Sequence, residues 1–393
     1  MPATMNTASR AQHAPLLRSF WIAGFDGTDH WDGLRPGHGA DACRQRVETD
    51  YRRVREAGVE CVRESIDWRR AARGADWDFA PETLRAQCAR RAGVQVLWTL
   101  CHAGWPDGLD IVSPGFIECF RSFSKAAARA LAPYAEAEPP VFTPINEISF
   151  LSYALTHTSL LGPQRADLRH RCREVEQRLV RAALAACDAI LEVDSRARFV
   201  HREPAMNHDA AHADGAIAGE MQLRVFDMLA GRLEPQLGGH PRYVDAIDVH
   251  WHRTSQWRSA SADGTPRGMS RAAFASLARL LADVHARYRC PVLASETNRI
   301  AAGRTEWLHA FGQAIGEALQ HGVPVTGACL CRIVERPAWE DPRYWRGRRL
   351  WDALLDAGDT LPLTVNSAYD QALRDVKARI DPLVDPSHHR PTS

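Results

Sequence analysis

The amino-acid sequence predicts an α/β protein, specifically a (β/α)8 TIM barrel, and three observations support this fold class. Short apolar segments alternate with amphipathic, Ala- and Arg-rich segments about eight times along the 393 residues. Strands that alternate with helices form parallel sheets through right-handed crossovers. The sequence has no glycine-rich dinucleotide-binding loop after its first predicted strand and no P-loop motif. A closed barrel therefore explains the pattern better than an open doubly wound sheet.

The predicted strands are short apolar runs that end at a glycine or at polar residues. The first, FWIAGFDG, covers 20–27. The fourth lies within VFTPINEISF, 141–150, where Pro144 favours a strand end just before Asn146 and Glu147. The remaining strands cover 60–68, 94–106, 197–204, 244–253, 291–298 and 324–334. All of them would deliver their last residues to one end of the barrel.

The predicted helices carry apolar residues at helical spacing, and several end at a glycine. In the first, 41–58, Val47, Tyr51 and Val54 share one face and Gly58 closes the helix. The later helices cover 80–93, 116–135, 173–194, 219–231, 271–288 and 305–322. We therefore expect a disordered N-terminal segment at 1–18, a single barrel domain at 19–375 and a flexible C-terminal tail at 376–393.

Composition and charge narrow the class of partner and the expected location. The chain has 49 basic and 48 acidic residues, which argues against nucleic acid or acidic membranes as partners. The first twenty residues lack the apolar stretch of about 7–15 residues that a secretory signal needs. Ten cysteines without a CxxC pair suggest reduced thiols. We expect a cytoplasmic protein that acts on a small molecule, and the oligomeric state stays open.

Two glutamates stand at predicted strand ends, where barrel enzymes carry their reacting groups. Taken alone, Glu147 is better explained as a cap for the helix that follows it. Glu296, however, follows strand seven, so both carboxylates would point into one mouth. Cleavage of a glycosidic bond requires such a pair, one as proton donor and the other as nucleophile or base. The sequence therefore predicts Glu147 and Glu296 as catalytic residues.

Further polar and aromatic side chains at the strand ends are predicted to bind the substrate. They are Arg63, His102, Trp105, Asn146, His250, His252 and Trp339. Arg63 and His102 would keep the nucleophile ionised and contact sugar hydroxyls, and Asn146 would contact the 2-hydroxyl. The tryptophans offer flat apolar faces on which sugar rings stack. Structural explanations also exist: a clamp for Arg63, a core histidine for His102 and rim packing for Trp339.

Four motifs in the expected order resemble those of clan A retaining glycoside hydrolases, and most closely those of family 1 β-glucosidases, of which the chain would be a divergent member. They are VRESIDWRR (62–70), VLWTLCHAGWPDGL (96–109), FTPINE (142–147) and PVLASETN (291–298). The resemblance implies a β-glycosidase that works by double displacement without a cofactor. Glu147 would be the acid/base, held protonated by its neighbour's charge and by partial burial, and Glu296 would be the nucleophile.

Three departures from the family pattern leave alternatives open. The first strand lacks the family's glutamine, the last lacks its Trp-Ser, and strand six reads His250-Trp251-His252. One alternative is a carbohydrate-binding barrel without turnover. The other is a metal-dependent hydrolase that uses the His-x-His pair. Its further ligands would come from His201, Glu203 or Cys331. The sugar stays undetermined, and the arginines of RYWRGRR, 343–349, are compatible with a phosphorylated one.

Overall fold

Eight parallel strands close into a barrel in chain order, which confirms the predicted (β/α)8 fold. The computed structural model describes residues 15–25, 40–74, 76–135, 138–159, 161, 166–205, 223–252, 271–297, 303–331, 333, 351–353 and 363–385. The strands are β1 Trp21–Gly24, β2 Cys61–Ser65, β3 Gln95–Cys101, β4 Val141–Ile145, β5 Arg198–Pro204, β6 Ala246–His252, β7 Val292–Thr297 and β8 Val325–Cys331. β1 pairs with both β2 and β8, so the sheet has no free edge.

Helices surround the barrel, and most follow the strands as predicted. The α-helices of six or more described residues are α1 Ala40–Glu56, α2 Ala80–Ala92, α3 Pro114–Leu131, α4 Ile148–His157, α5 Cys172–Leu191, α6 Arg224–Leu229, α7 Arg271–Tyr288, α8 Arg304–Gln320 and α9 Ser367–Ile380. Short strand pairs, Ala72–Arg73 with Asp76–Trp77 and Trp351–Ala353 with Leu363–Val365, lie outside the barrel. Within the described residues, no helix has the length and apolarity to cross a lipid bilayer.

α9 continues beyond residue 376, where the sequence predicted the start of a flexible tail. Val376 and Ile380 are buried, and they lie against Gly312 and Gly316 of α8. The two glycines allow α8 and α9 to approach closely. The helices run in the same direction, because Gly312 lies against Val376 and Gly316 against Ile380. A sequence pattern read helix by helix does not show this approach, because the glycines and their partners lie on different helices.

The alternation of side chains along each strand separates an inner core from an outer one. Inside the barrel, Ile22, Leu97 and Val200 belong to one apolar cluster. Outside it, Trp251 stacks on Trp307 of α8 with ring centroids 3.8 Å apart. The position of a residue in this alternation decides whether its side chain enters the barrel or meets the helices.

Candidate active site

Arg63 ties four strands together beneath the mouth of the barrel. Its guanidinium donates hydrogen bonds to Asp248 Oδ2 at 3.0 Å, to Thr99 Oγ1 at 3.2 Å and to Asn146 Oδ1 at 3.1 Å. Asp248 also accepts a hydrogen bond from Ser295 Oγ at 2.7 Å. Arg63 is only 3% exposed, so these charge-assisted bonds form away from bulk water. Arg63 therefore acts as a clamp that fixes the amide of Asn146 at the tip of β4.

Glu147 has a left-handed backbone conformation directly after Asn146. Its φ is 49° and its ψ is 62°, a region that costs a non-glycine residue about 1–2 kcal/mol. The backbone N–H of Glu147 donates to the carbonyl of Arg202 on β5 at 3.0 Å. Glu147 is the N-cap residue of α4, yet its side chain makes no capping hydrogen bond. The strained turn therefore has a purpose other than capping the helix.

Glu203, at the end of β5, caps α4 in place of Glu147. The oxygens of its carboxyl group accept hydrogen bonds from the backbone N–H of Ile148 at 2.6 Å and of Ser149 at 3.1 Å, and also from the Ser149 hydroxyl. Burial raises the pKa of Glu203 to about 8, although the hydrogen bonds from Ser149 oppose this shift. Because another strand supplies the cap, the carboxylate of Glu147 is available to the barrel mouth.

The carboxylate of Glu147 lies between two histidines of β6. Its Oε1 contacts His250 Nδ1 and lies 3.1 Å from His252 Nε2. His250 Nε2 lies 2.7 Å from Thr297 Oγ1, so both ring nitrogens of His250 have partners. This arrangement was not predicted from the sequence, which suggested that the two histidines bind the substrate and did not link them to Glu147.

The protonation of this cluster differs from the sequence-based expectation. Burial by itself raises the pKa of Glu147, but its contacts with the ring nitrogens of His250 and His252 hold it well below its usual range. Burial, together with the charges of Arg202 and His252, holds the pKa of His250 well below its usual range. At neutral pH Glu147 is therefore ionised and His250 is neutral. The expectation that Glu147 is held protonated does not agree with this structure.

Glu296 does not enter the barrel beside Glu147, which corrects the predicted geometry of the pair. Its neighbours in β7, Ser295 and Thr297, bond to Asp248 and His250 and so lie on the inner face. Glu296 lies on the opposite face, where Trp307 Nε1 donates to its Oε2 at 2.9 Å. The motif identified the correct strand, but strand alternation turned the carboxylate toward the helices.

The hydroxyl of Tyr369, on α9, also lies 3.4 Å from Glu296 Oε1. Both of these contacts belong to helices outside the barrel wall. The carboxylate is 4% exposed and is therefore withdrawn from solvent.

The remaining predicted substrate contacts are at the rim or beyond the described residues. His102 directly follows β3 and is half-buried. The ring of Trp105 packs edge-on against Phe116 of α3, with centroids 5.4 Å apart, so one edge of this ring belongs to the core. Trp339 lies outside the described residues.

Glu147, His250 and His252 are also suited to hold a metal ion. One ligand atom from each residue lies within 4.8 Å of the others. Two of the three further ligands suggested by the sequence are used elsewhere, since His201 Nε2 bonds to the Tyr243 carbonyl at 2.9 Å and Glu203 caps α4. Cys331 accepts a hydrogen bond from Arg202 at 3.1 Å. The carboxylate that joins the histidines is Glu147, which sequence reasoning had not considered as a ligand.

No protein-family profile and no curated protein matches this sequence. Solved structures match its fold over most of its length. The AHE enzyme from Alicyclobacillus herbarius is 15% identical, with a TM-score of 0.70 over 93% of this chain and 99% of that chain. A β-glucosidase from Thermotoga maritima in complex with deoxynojirimycin is 12% identical, with a TM-score of 0.66 over 92% and 98%. A hyperthermophilic β-glucosidase mutant is 14% identical, with a TM-score of 0.69 over 90% and 99%. The resemblance predicted from the motifs is therefore confirmed at the level of the fold, which this chain shares with family 1 β-glucosidases.

Proposed function

We propose that this protein hydrolyses a β-linked glycoside at the barrel mouth, with Glu147 as its central catalytic carboxylate. The observation that carries the proposal is the exchange of capping roles between Glu203 and Glu147. The left-handed turn at Glu147 directs its side chain away from α4, and the buried side chain of Glu203 caps α4 instead. The likeness in fold to β-glucosidases supports the choice of a sugar as the substrate.

Glu147 and the two histidines would transfer protons as one unit, because strongly coupled groups titrate together. Because Glu147 is ionised in the free protein, the unit would first take up one proton from solvent. Glu147 would pass this proton to the leaving oxygen in the first step, and in the second step the unit would recover a proton from the attacking water. The Oδ1 of Asn146 accepts from Arg63, which leaves the amide N–H groups of Asn146 to donate to a sugar hydroxyl.

We expect Glu147→Gln to lower kcat by about 10²–10⁴-fold, because that is the usual contribution of a general acid/base.

The finer proposal is a retaining double displacement in which Glu296 attacks the anomeric carbon. Retention requires carboxyl groups about 5–5.5 Å apart, compared with about 6.5–9.5 Å for inversion. Glu296 would have to exchange its contacts with Trp307 and Tyr369 for a position in the mouth when the sugar binds. The retaining scheme therefore predicts a change at the end of β7 between the free and the sugar-bound protein.

Intact mass spectrometry after incubation with a panel of 2-deoxy-2-fluoro glycosyl fluorides tests this scheme. We expect a covalent adduct on the wild type and none on Glu296→Gln. Turnover of aryl glycosides without any adduct would contradict the retaining scheme but would still support glycosidase activity. Sugar binding with neither turnover nor adduct would contradict the hydrolase and support a carbohydrate-binding barrel.

A metal-dependent hydrolase is the second candidate, and the convergence of Glu147, His250 and His252 favours it. Ligands about 2.0–2.1 Å from a tetrahedral zinc ion lie about 3.3 Å apart, close to the 3.1 Å between Glu147 Oε1 and His252 Nε2. The contact of His250 Nε2 with Thr297 resembles the outer hydrogen bond that fixes a metal-bound histidine. Three protein ligands would leave a coordination position open, as in catalytic zinc sites.

Metal analysis of the purified protein separates the two candidates. If the second is correct, the wild type will bind about one equivalent of zinc or manganese and a chelator will abolish hydrolysis. His252→Ala should lose the metal, whereas His240→Ala, at an exposed position outside the mouth, should keep it. Hydrolysis that is unaffected by a chelator would eliminate the metal-dependent candidate.

A further inference from the structure

Arg304, the first residue of α8, has a buried guanidinium for which the described part of the chain offers no hydrogen-bond partner. The residue is 5% exposed, and none of its three side-chain nitrogens makes a hydrogen bond. A guanidinium stays charged under all ordinary conditions, so burial without a partner is unfavourable. Its Cζ lies 5.9 Å from the centroid of the Tyr369 ring, within the range of a cation–π contact. Such a group indicates a missing anionic partner.

The guanidinium lies at the N-terminus of a long helix whose first turn has no side-chain cap. α8 contains 17 residues, and its N-cap is Gly303 with φ 73°. The backbone N–H groups of a first helical turn point outward and carry a partial positive charge. Side chains on a helix lean toward its N-terminus, so Arg304 adds a full charge to the same region. Together these groups form a donor set for an anion.

The neighbouring carboxylates, Glu296 and Glu306, accept no hydrogen bond from Arg304. Glu296 bonds to Trp307 and Tyr369, and the ring of Tyr369 lies next to the guanidinium. Glu306, also in the first turn, is exposed and accepts a hydrogen bond from Thr305 Oγ1 at 3.0 Å. Neither glutamate accepts a hydrogen bond from Arg304, because none of the three guanidinium nitrogens has a hydrogen-bond partner within the described ranges. The guanidinium therefore retains its capacity for a bidentate partner.

This region borders the candidate active site. α8 follows β7, so its N-terminus is at the end of the barrel where the strands terminate. Tyr369 contacts Glu296, and Thr297, which follows Glu296 in β7, contacts His250. In TIM barrels, phosphate groups are often bound by the loops after the seventh and eighth strands together with a helix N-terminus. The environment of Arg304 combines the same kinds of donor.

We propose that Arg304 and the N-terminus of α8 form a binding site for a phosphate group, either free or carried by the sugar substrate. The second source would deepen the proposed glycosidase function and rests on it, whereas the first does not depend on it. The arginines at 343–349, which the sequence connected with a phosphorylated sugar, lie outside the described residues. Arg304 is a separate candidate that becomes visible only through its burial.

Isothermal titration calorimetry and thermal unfolding with inorganic phosphate, at constant ionic strength with chloride as the reference anion, test the site without turnover. We expect phosphate to raise the unfolding temperature of the wild type. Arg304→Met should weaken phosphate binding at least tenfold, and Arg304→Lys should weaken it less, because lysine retains the charge but not the fork. Arg279→Met, on an exposed face of α7, should bind phosphate like the wild type. Equal phosphate binding by wild type and Arg304→Met would overturn the proposal, as would no binding by the wild type.

A comparison of neutral and phosphorylated aryl β-glycosides identifies the source of the phosphate. If the substrate carries it, Arg304→Met will raise KM at least tenfold for the phosphorylated glycoside alone and leave kcat within a few-fold. If free phosphate is the ligand, KM for both glycosides will respond equally to the substitution. Calorimetry decides on the site even when neither glycoside is hydrolysed, so failure of the glycosidase proposal remains distinguishable from failure of the phosphate site.

Discussion

Glu147 illustrates how a single residue acquires a role from residues distant in sequence. Its left-handed backbone turns the chain from β4 into α4, while Glu203 bonds to the first amides of that helix. The side chain of Glu147 then lies against His250 and His252. The opposite arrangement, with Glu147 as the cap and Glu203 in the mouth, would separate the carboxylate from both histidines. Glu203 is therefore the residue on which the position of Glu147 depends.

We predict that Glu203→Ala destabilises the protein by about 1 kcal/mol and reduces hydrolysis at least tenfold. The first effect is the usual consequence of losing a helix cap, and the second follows if Glu147 turns back to cap α4. Glu203→Gln should be milder, because its amide oxygen still accepts one backbone hydrogen bond. Urea denaturation and initial rates measure the two effects.

The matched control for this prediction is Glu174→Ala. Glu174 lies on α5, is largely exposed and pairs with Arg171 three residues earlier. Its removal should change stability by less than about 0.5 kcal/mol. If Glu203→Ala hydrolyses substrate as well as Glu174→Ala does, the cap is not what presents Glu147.

At the level of elements, the α8–α9 pair determines where Glu296 lies. Among the described residues, Trp307 of α8 and Tyr369 of α9 contact the Glu296 carboxylate outside the barrel. The helices can approach because Gly312 faces Val376, with no room for a side chain between them. Packing of α9 on α8 is therefore a condition for the observed position of Glu296.

We predict that Gly312→Ala destabilises the protein by about 1–3 kcal/mol, the usual cost of overpacking. A Cβ at this position would lie 2.5 Å from Val376 Cγ1. In a helix interior without this crowding, the same change would stabilise by up to about 1 kcal/mol. Chemical denaturation of Gly312→Ala, Val376→Ala and the double variant measures the coupling.

The double variant should be less destabilised than the sum of the single variants, because removal of the Val376 methyl groups makes room for the new Cβ. Gly316→Ala is the control, since its Cβ would lie 3.3 Å from Ile380 Cδ1 and so meet a milder contact. A gain in stability for Gly312→Ala would show that the helices can separate at little cost.

For the whole molecule, buried titratable groups set the pH range of greatest stability. Burial lowers the pKa of His201 from 6.5 to about 4, so the unfolded chain binds more protons between these values and stability falls as the pH decreases. The pKa of Glu203 rises from 4.5 to about 8, so the folded protein binds more protons there and stability falls as the pH increases. Because the pKa of Glu147 is lowered on folding, its ionised side chain stabilises the folded protein above pH 4.5, and this stabilisation is lost in stronger acid.

We predict that the free energy of unfolding is nearly constant between about pH 4.5 and 6.5 and decreases on either side. In this range the lowered pKa values of His201 and His250 oppose the raised pKa values of Glu203 and, up to about pH 6, of Asp50. Between pH 6.5 and 8, Glu203→Gln should reduce the decrease by at least about 1 kcal/mol, since it removes the titrating group. His201→Gln, which keeps a donor for the Tyr243 carbonyl, should leave this range unchanged. Guanidinium denaturation at half-unit pH intervals provides the measurement. An identical alkaline slope in wild type and Glu203→Gln would contradict this assignment.

The sequence by itself determined the barrel, because alternating strand and helix patterns are local and repeat along the chain. It also located the strand ends that carry Arg63, Asn146, Glu147 and the His-x-His pair, all of which the structure brings to one end of the barrel. These conclusions depend on residue type and on spacing within single elements, so they need no knowledge of how elements pack.

Only the tertiary structure decided the partners of these residues. The contact of Glu147 with His250 joins residues 103 positions apart, and the cap from Glu203 to Ile148 spans 55. The face on which Glu296 lies depends on a one-residue register in β7, which motif similarity does not specify. The protonation states of Glu147 and His250 depend on burial and on neighbouring groups, and the lack of a hydrogen-bond partner for the Arg304 guanidinium depends on how the helices pack. The sequence thus determined which groups reach the mouth of the barrel, and packing between distant elements decided which of them meet and with what charge.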